Sequence, residues 1–202
     1  MLSLETAVTK LNYTIDPAEL QEFYHTIKTK YSDDVWTWAK NQIHINDVAA
    51  GELVDTAHTI MYGWPLQSNL IDKTIPPSVL KTRYPTGDWY NTELMSGLAQ
   101  RIQERIPYSY RWTLFVLPPG GKVPRHNDIG EYVVHIPIHW DKDAVFLLDD
   151  VPYSLTDIGS SYVVDVEIPH ETVNNSAEDR VGLIFRIPRD RLSDLLEVTG
   201  QI

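Results

Sequence analysis

Short apolar segments alternate with turn residues from residue 110 onward, and this pattern constrains the fold more than any other feature of the sequence. Proline and glycine clusters separate these segments, as in Pro118-Pro119-Gly120-Gly121. Short strands at such intervals are typical of an all-β sandwich or barrel. We therefore predict strands at RWTLFVL (111–117), EYVVHIPIHW (131–140), AVFLLDD (144–150), SSYVVDVEI (160–168) and RVGLIFRI (180–187).

The sequence before residue 110 indicates a mixture of helices and short strands. Asp16 and Pro17 provide a capping side chain followed by a proline at the first helical position, which favours a helix over about 17–31. Apolar residues at four-residue steps predict a second helix over about 90–105. The remaining expectations are strands near 36–45 and at 60–67, and a loop at 76–88.

A chain of 202 residues is long enough to bury a sizeable core within one domain. We therefore predict a single domain over 1–202. In it, a mixed helix and strand part (1–109) packs on a β core (110–187), and residues 188–202 form a tail or a short helix. The helices are expected to cover the outside of the core, because a sheet must bury its apolar face.

Composition excludes several functional classes. Lys and Arg number 17 against 28 Asp and Glu, a formal net charge of −11, which argues against a nucleic-acid-binding protein and against docking on an anionic membrane. The absence of cysteine excludes disulfides, thiolate metal sites and cysteine nucleophiles. We find no secretory signal and no apolar run that approaches the roughly 18 residues of a membrane span. We therefore expect a cytoplasmic protein.

Two histidines and one aspartate have the most direct chemical meaning. His126 and Asp128 are two residues apart, so on an extended segment their side chains point the same way. His170 follows His126 by 44 residues. Two histidines and one carboxylate form the facial triad of non-heme Fe(II) oxygenases, which leaves metal positions open. An alternative interpretation makes His126 and Asp128 ordinary loop residues and His170 a histidine at a strand end.

Two further residues suggest anion binding. Arg180 lies ten residues after His170, at the start of the last predicted strand, where a buried arginine could donate two parallel hydrogen bonds to a carboxylate. The alternative is a surface ion pair with Asp179 or Glu178, which contributes little. His135 lies in the middle of an apolar strand. On an inward face it could bind an anion, or it could be a hydrogen-bonded histidine of the core.

The order and spacing of these motifs resemble the aspartyl/asparaginyl β-hydroxylase family over about residues 110–187. The matching elements are Pro119-Gly120, His126, His135-Ile136, Val164-Asp165, His170-Glu171, Asn174, Ser176, Arg180 and Leu183. The resemblance implies a mainly β fold with flanking helices around a double-stranded β-helix core, the jelly-roll or cupin-like architecture. It also implies a dioxygenase that depends on Fe(II) and 2-oxoglutarate.

The resemblance implies a role for each site residue. His126 and His170 resemble the two iron-binding histidines. Arg180 resembles the arginine that binds the distal carboxylate of 2-oxoglutarate, and His135 resembles a histidine that helps to hold this co-substrate. Animal members of the family lack a carboxylate at the position of Asp128, which instead matches the full triad of the wider superfamily. We therefore predict that His126, Asp128 and His170 bind the metal and that Arg180 and His135 bind the co-substrate.

Two positions depart from the family pattern. Val133 stands where animal members carry an arginine, and Phe115 stands where they carry a serine. Three arginines are candidate anion contacts for the substrate, although such residues are more often solvated charges on a strand: Arg111, Arg125 and Arg186.

The predicted activity is a 2-oxoglutarate- and Fe(II)-dependent dioxygenase. It uses O2 to hydroxylate an amino-acid side chain of a peptide or protein, or a free amino acid. The alternative is a non-redox jelly-roll module that binds a metal and a small molecule, for which Arg180 would be superfluous. A third hypothesis, a cupin isomerase, would need His135 and His139 on one metal, yet they lie about 13 Å apart on a strand. The sequence leaves the substrate, the hydroxylated carbon and the oligomeric state open.

Overall fold

Eleven strands, arranged in two antiparallel sheets, dominate the part of the chain that the computed structural model describes, which comprises residues 6–30, 36–38, 61–65 and 97–200. The strands are β1 (Val8–Thr14), β2 (Trp36–Trp38), β3 (Met61–Pro65), β4 (Tyr110–Leu117), β5 (Lys122–His126), β6 (Glu131–His139), β7 (Ala144–Leu148), β8 (Val151–Tyr153), β9 (Ser160–Val164), β10 (His170–Asn174) and β11 (Arg180–Pro188). The helices are α1 (Pro17–Lys30), α2 (Leu98–Arg105) and α3 (Leu192–Thr199), and a 3-10 turn (Arg189–Arg191) precedes α3.

The chain alternates between the two sheets from β4 onward. The larger sheet has the order β1-β9-β6-β11-β4-β3-β2, and the smaller sheet has the order β5-β10-β7-β8. Strands β4, β6, β9 and β11 therefore lie in one sheet, while the strands between them in sequence lie in the other. This alternation is the double-stranded β-helix. The predicted fold class, mainly β with flanking helices around a jelly-roll core, is confirmed.

The larger sheet is buried on both faces. Successive side chains of a strand point to opposite faces, and β11 shows this clearly. Its residues Val181, Leu183 and Phe185 belong to an apolar cluster that includes residues of all three helices. Its other face carries Ile184, which packs in a second apolar cluster between the two sheets. We call this second side the inner face, and it also contains Val133, as the alternation in β6 predicts.

The helices form where the sequence predicts them. The Asp16 carboxylate accepts a hydrogen bond from the Ala18 amide (2.8 Å), and Pro17 begins α1, which ends close to the predicted boundary. Helix α2 occupies the described part of the predicted segment 90–105, and residues 90–96 lie outside the described residues. The predicted loop at 76–88 also lies outside them. Within the described residues, no helix is both long enough and apolar enough to span a membrane.

Among the described residues, the sequence missed four strands, β1, β5, β8 and β10. Strands β5 and β10 are short and carry several polar residues, so they lack the two-residue apolar alternation that identifies a strand. Two predicted strands are also too long. The strand expected at 160–168 ends at Val164, and the one expected at 144–150 ends at Leu148. The cause of the second error is a tight turn, since Asp149 and Asp150 have φ values of 45° and 66°.

Gly159 connects the N-terminal part to the jelly roll. Its carbonyl accepts a hydrogen bond from the Ile15 amide (2.9 Å), and its own amide donates to the Pro137 carbonyl (3.0 Å). Its φ of 80° is strained for other residues. A Cβ at this position would lie 2.2 Å from the Ile15 carbonyl oxygen, so both conformation and space require glycine here.

We predict that Gly159→Ala destabilises the protein more than Gly120→Ala does. Gly120 has a similar φ of 73°, but no heavy atom of the described residues lies within 4 Å of its would-be Cβ. The control should therefore show the conformational penalty alone, about 1 kcal/mol. Gly159→Ala should lose a further 1–3 kcal/mol, roughly, because the methyl group collides with backbone. Urea unfolding of the two variants measures the difference, and equal losses would contradict the role assigned to the Ile15 contact.

Candidate functional site

Two neighbouring strands of the smaller sheet bring the histidines together. Strands β5 and β10 pair antiparallel, and His126 lies directly opposite His170 in the register. Their ring centroids are 4.2 Å apart. The interpretation of His126 as an ordinary loop residue is therefore wrong, because this residue ends a paired strand.

Asp128 completes the cluster from the loop after β5. The backbone amide of Asp128 donates to the Val166 carbonyl (2.8 Å), which fixes the loop against the segment after β9. One donor atom from each of His126, Asp128 and His170 lies within 4.8 Å of the other two. The structure thus brings the three predicted metal-binding side chains around one point.

Both histidines are oriented by backbone carbonyls. The His126 Nδ1 lies 2.7 Å from the Pro124 carbonyl oxygen, and the His170 Nδ1 lies 3.0 Å from that of Ile168. Because a carbonyl only accepts, Nδ1 carries the proton in the neutral form of each ring, and Nε2 of that form keeps its lone pair. This is the tautomer that a metal-binding histidine uses when its second nitrogen is hydrogen-bonded. Two imidazole nitrogens and one carboxylate oxygen suit a non-heme iron ion.

The protonation states also favour cation binding. Burial, together with the nearby His126, lowers the pKa of His170 to about 4. Burial would raise the pKa of Asp128, but Arg186 and His126 outweigh it, so the net shift of this pKa is downward. At neutral pH His170 is therefore uncharged and Asp128 is an anion, and these are the forms that bind metals.

Arg180 lies on the inner face at the start of β11, and its side chain is buried (1% exposed). Its guanidinium carbon lies 3.3 Å from the centroid of the Trp140 ring and 5.2 Å from that of Phe115. Within the described residues, the Arg180 Nε and Nη1 have no hydrogen-bond partner. The interpretation of Arg180 as a surface residue that pairs with Asp179 or Glu178 is therefore wrong.

A buried cation without a carboxylate is unfavourable. Burial lowers the pKa of Arg180, which expresses the cost of holding a charge away from water. The Trp140 ring offsets part of this cost by a cation–π contact. The two nitrogens of Arg180 that have no partner among the described residues can donate to an anion, and a guanidinium matches a carboxylate in shape.

Apolar side chains occupy the two positions that depart from the family pattern. Phe115 lies opposite Gly182 in the register, and a Cβ at Gly182 would be 2.7 Å from the Phe115 ring. The glycine thus allows the ring to lie against β11, near Arg180. Val133 belongs to the same inner apolar cluster. Phe115 thus adds apolar surface next to Arg180, whereas Val133 lies opposite Arg186 in the register, toward the other end of β11.

His135 lies between the histidine pair and Arg180. It is buried, and its ring contacts Phe146 (5.3 Å between centroids), which in turn stacks on His170 (5.5 Å). Burial and then the charge of Arg180 lower the pKa of His135 well below its usual value, so the ring is neutral. Its Nδ1 is buried without a hydrogen-bond partner among the described residues. The interpretation of His135 as a hydrogen-bonded histidine of the core therefore does not hold for its Nδ1.

His139 does not join this group. Its side chain is 45% exposed, and its Nε2 lies 3.0 Å from the Glu178 carboxylate. His135 faces the interior, so the pair of histidines that a cupin isomerase would need does not form.

The three arginines that sequence reasoning left open differ from one another. Arg125 is a surface residue that pairs with carboxylates of the turn after β7. Arg111 and Arg186, in contrast, both contact the buried carboxylate of Glu131, so their interpretation as solvated charges is wrong. Arg186 also donates to Asp128 (3.1 Å). Sequence reasoning missed Glu131, and its position as the one acidic residue of a buried strand was the available signal.

Comparison with known proteins supports the family resemblance over a segment. Residues 92–190 match the sequence model of the family described as aspartyl/asparaginyl beta-hydroxylase. The resemblance inferred from the motifs is confirmed over this segment, which includes all five predicted site residues. No protein with a curated description matches the sequence.

Several solved structures are similar to this one. AviO1 from Streptomyces viridochromogenes Tue57 is 15% identical, with 89% of this chain and 88% of that chain covered and a TM-score of 0.48. A cupin domain from Bordetella pertussis Tohama I is 26% identical over 39% of this chain and 80% of its own, with a TM-score of 0.33. A Cupin 2 conserved barrel domain protein from Salinispora arenicola is 16% identical over 43% and 69%, with a TM-score of 0.33.

The low pKa of His170 predicts a pH-dependent loss of stability in the metal-free protein. Between pH 6.5 and pH 4 the unfolded state binds a proton on this histidine and the folded state does not, so stability falls as the pH decreases through this window. Between pH 7 and pH 5 the contribution of His170 is about 2 kcal/mol. His170→Gln should therefore lose less stability over this interval than the parent, as measured by urea unfolding in the presence of a chelator. Equal losses would contradict the assigned shift.

Proposed function

We propose that the protein is a 2-oxoglutarate- and Fe(II)-dependent dioxygenase. The observation that carries the proposal is the combination of a candidate metal site and a buried arginine between the two sheets. Two imidazoles and one carboxylate cluster on the smaller sheet and the loop after β5. The buried guanidinium of Arg180, with two nitrogens unpaired within the described residues, lies on the central strand of the larger sheet. A metal site alone would not require Arg180, whereas a metal with a chelating dicarboxylic acid would.

His126, Asp128 and His170 would hold the iron ion. Their donor atoms are close enough for one ion, and the Nε2 lone pairs of the two histidines are free to bind it. Three protein groups leave three positions of an octahedral ion for other ligands. When bound, Fe(II) together with 2-oxoglutarate and O2 supplies the oxidising chemistry that the protein's own side chains lack.

Arg180 would bind the distal carboxylate of 2-oxoglutarate. Its two nitrogens that lack a partner in the described part of the chain can each donate a hydrogen bond, and the bound carboxylate would compensate the buried charge. Trp140 fixes the guanidinium from one side, and the Trp140 Nε1 itself donates to the Ala144 carbonyl (2.6 Å). The arginine is therefore positioned before the co-substrate arrives, which lowers the entropic cost of binding.

His135 would contact the co-substrate between its two ends. The ring is neutral, so one of its nitrogens can donate a hydrogen bond while the other accepts one. The rings of Phe115, Phe146 and Trp140 surround it at centroid distances between 5.3 and 6.4 Å. These apolar side chains would exclude water from the reacting groups, which prevents side reactions.

The proposed reaction converts 2-oxoglutarate, O2 and a substrate C–H group into succinate, CO2 and a C–OH group. The substrate class is an amino-acid side chain of a peptide or protein, or a free amino acid, and the description of the matching family supports this class. The net charge of −11 disfavours a strongly acidic partner. A cytoplasmic location and a single domain over 1–202 remain predictions.

We predict that Arg180 discriminates 2-oxoglutarate from 2-oxopentanoate, which has the same chain length but no distal carboxylate. The Mn(II)-loaded parent should bind 2-oxoglutarate at least about 100-fold more tightly, because a desolvated guanidinium left without its carboxylate is costly. Arg180→Met should remove this preference, and Arg180→Lys should restore part of it, since an ammonium keeps the charge but loses the planar pair of donors. Isothermal titration calorimetry measures both affinities.

Metal binding serves as the control for these variants. Arg180→Met should bind Mn(II) within about twofold of the parent, since the residue is not a proposed ligand. Retention of the 2-oxoglutarate preference in Arg180→Met would remove Arg180 from the co-substrate site. Conversion of 2-oxoglutarate to succinate by the Fe(II)-loaded parent tests the redox activity. Tight binding of metal and 2-oxoglutarate without any O2-dependent succinate would instead identify the non-redox binding module.

A further inference from the structure

A buried ion network adjoins the candidate metal ligand Asp128. The Arg186 Nη2 donates to the Asp128 Oδ2 (3.1 Å), and the Arg186 Nε donates to the Glu131 Oε1 (2.5 Å). Glu131 also accepts a hydrogen bond from the Tyr110 hydroxyl (2.7 Å) and contacts the Arg111 Nη1 at 3.3 Å. Arg186 is therefore a bridge between a buried, multiply bound carboxylate and the carboxylate of the triad.

The sheet register assembles this network at one end of the larger sheet. Glu131 begins β6, Tyr110 begins β4, and Arg186 lies near the end of the antiparallel strand β11 between them. Between Ile184 and Arg186 the register of β4 and β11 shifts, which marks a β-bulge. Bulges re-aim side chains and are common beside functional sites.

Arg111 lies in this bulge with strained backbone. Its φ is 51°, a value that non-glycine residues rarely adopt, yet its side chain is buried against Glu131. Such strain persists only where surrounding interactions compensate for it, and it is frequent at functional sites. The bulge thus places a second cation on Glu131, which holds that carboxylate in a single orientation toward Arg186.

We infer that Arg186, anchored by Glu131, is a positioning residue that fixes the orientation of the Asp128 carboxylate. By binding Oδ2, Arg186 leaves Oδ1 for the metal. The inference rests on the proposed function, because it assigns Asp128 to the metal. Partners of this kind, which do not touch the metal themselves, commonly contribute 10–100-fold, roughly, to metal affinity.

The sign of the effect distinguishes positioning from simple charge. Arg186 is a cation close to the proposed metal position, so its charge alone repels a divalent ion, and its removal would tighten metal binding. If Arg186 instead positions Asp128, its removal lets the carboxylate rotate, and metal binding weakens. The two roles therefore predict opposite changes in the dissociation constant.

The test measures the Mn(II) dissociation constant by isothermal titration calorimetry and the coordination geometry by the visible absorption of bound Co(II). Arg186→Met should weaken Mn(II) binding about 10–100-fold and alter the Co(II) spectrum. Arg186→Lys keeps the charge but cannot span both carboxylates, so the loss of Mn(II) affinity in this variant should be intermediate. If Arg186→Met does not fold, as judged by circular dichroism and thermal unfolding, Arg186→Lys provides the same test.

A double-mutant cycle tests whether Arg186 acts through Asp128. In the Asp128→Asn background, Arg186→Met should change the Mn(II) affinity less than twofold, because the carboxylate that it positions is already absent. Arg191→Met is the matched control, since Arg191 lies on the surface beside α3 and pairs with Asp194. It should leave the Mn(II) affinity unchanged.

The outcomes separate this inference from the proposed function. A parent protein that does not bind Mn(II) overturns both. A parent that binds Mn(II), with equal or tighter binding in Arg186→Met, overturns only the positioning role. An equal loss from Arg186→Met in the parent and Asp128→Asn backgrounds would also overturn it, since Arg186 would then act independently of Asp128.

Discussion

Burial of β11 on both faces is the constraint on which the rest of the structure depends. On one face, Val181, Leu183 and Phe185 pack against the helices. The inner face carries Arg180 at one end of the strand and Arg186 near the other, and a buried guanidinium needs a partner. Arg186 has carboxylates of this chain. Arg180 has aromatic rings beside it and two nitrogens without a hydrogen-bond partner among the described residues, which is why we propose that an external anion binds there.

The smaller sheet supplies the two histidines of the candidate metal site. Its strands β5 and β10 are short and polar, and their pairing places His126 opposite His170. Backbone carbonyls set the tautomer of both rings, so neither depends on a neighbouring side chain for its orientation. Asp128 differs, because its carboxylate is bound by Arg186 of the facing sheet. The candidate metal site therefore spans both layers of the jelly roll and connects them.

The sequence predicted the parts of this arrangement that follow from local pattern. The alternation of residues in β6 predicted that Val133 and His135 share one face of the strand. The order of the motifs around His126 and His170 indicated the family whose sequence model residues 92–190 match. Glu131 had a signal in the sequence as the one acidic residue of a buried strand, but its pairing with Arg186 escaped prediction. That pairing depends on strand register and on the bulge at Arg111, which have no local signature. The departure at Phe115 was visible in the sequence. Its consequence, a ring lying against Gly182 beside Arg180, required the fold.

The central claim is that the triad and Arg180 bind the two ends of one molecule. Anaerobic titration of the Fe(II)-loaded protein with 2-oxoglutarate tests it most directly, because a 2-oxo acid that chelates Fe(II) produces a visible charge-transfer band. We expect a saturable band in the parent, which disappears in His126→Ala and requires far more 2-oxoglutarate in Arg180→Met. Iron that stays bound to the parent without any band at saturating 2-oxoglutarate would contradict it.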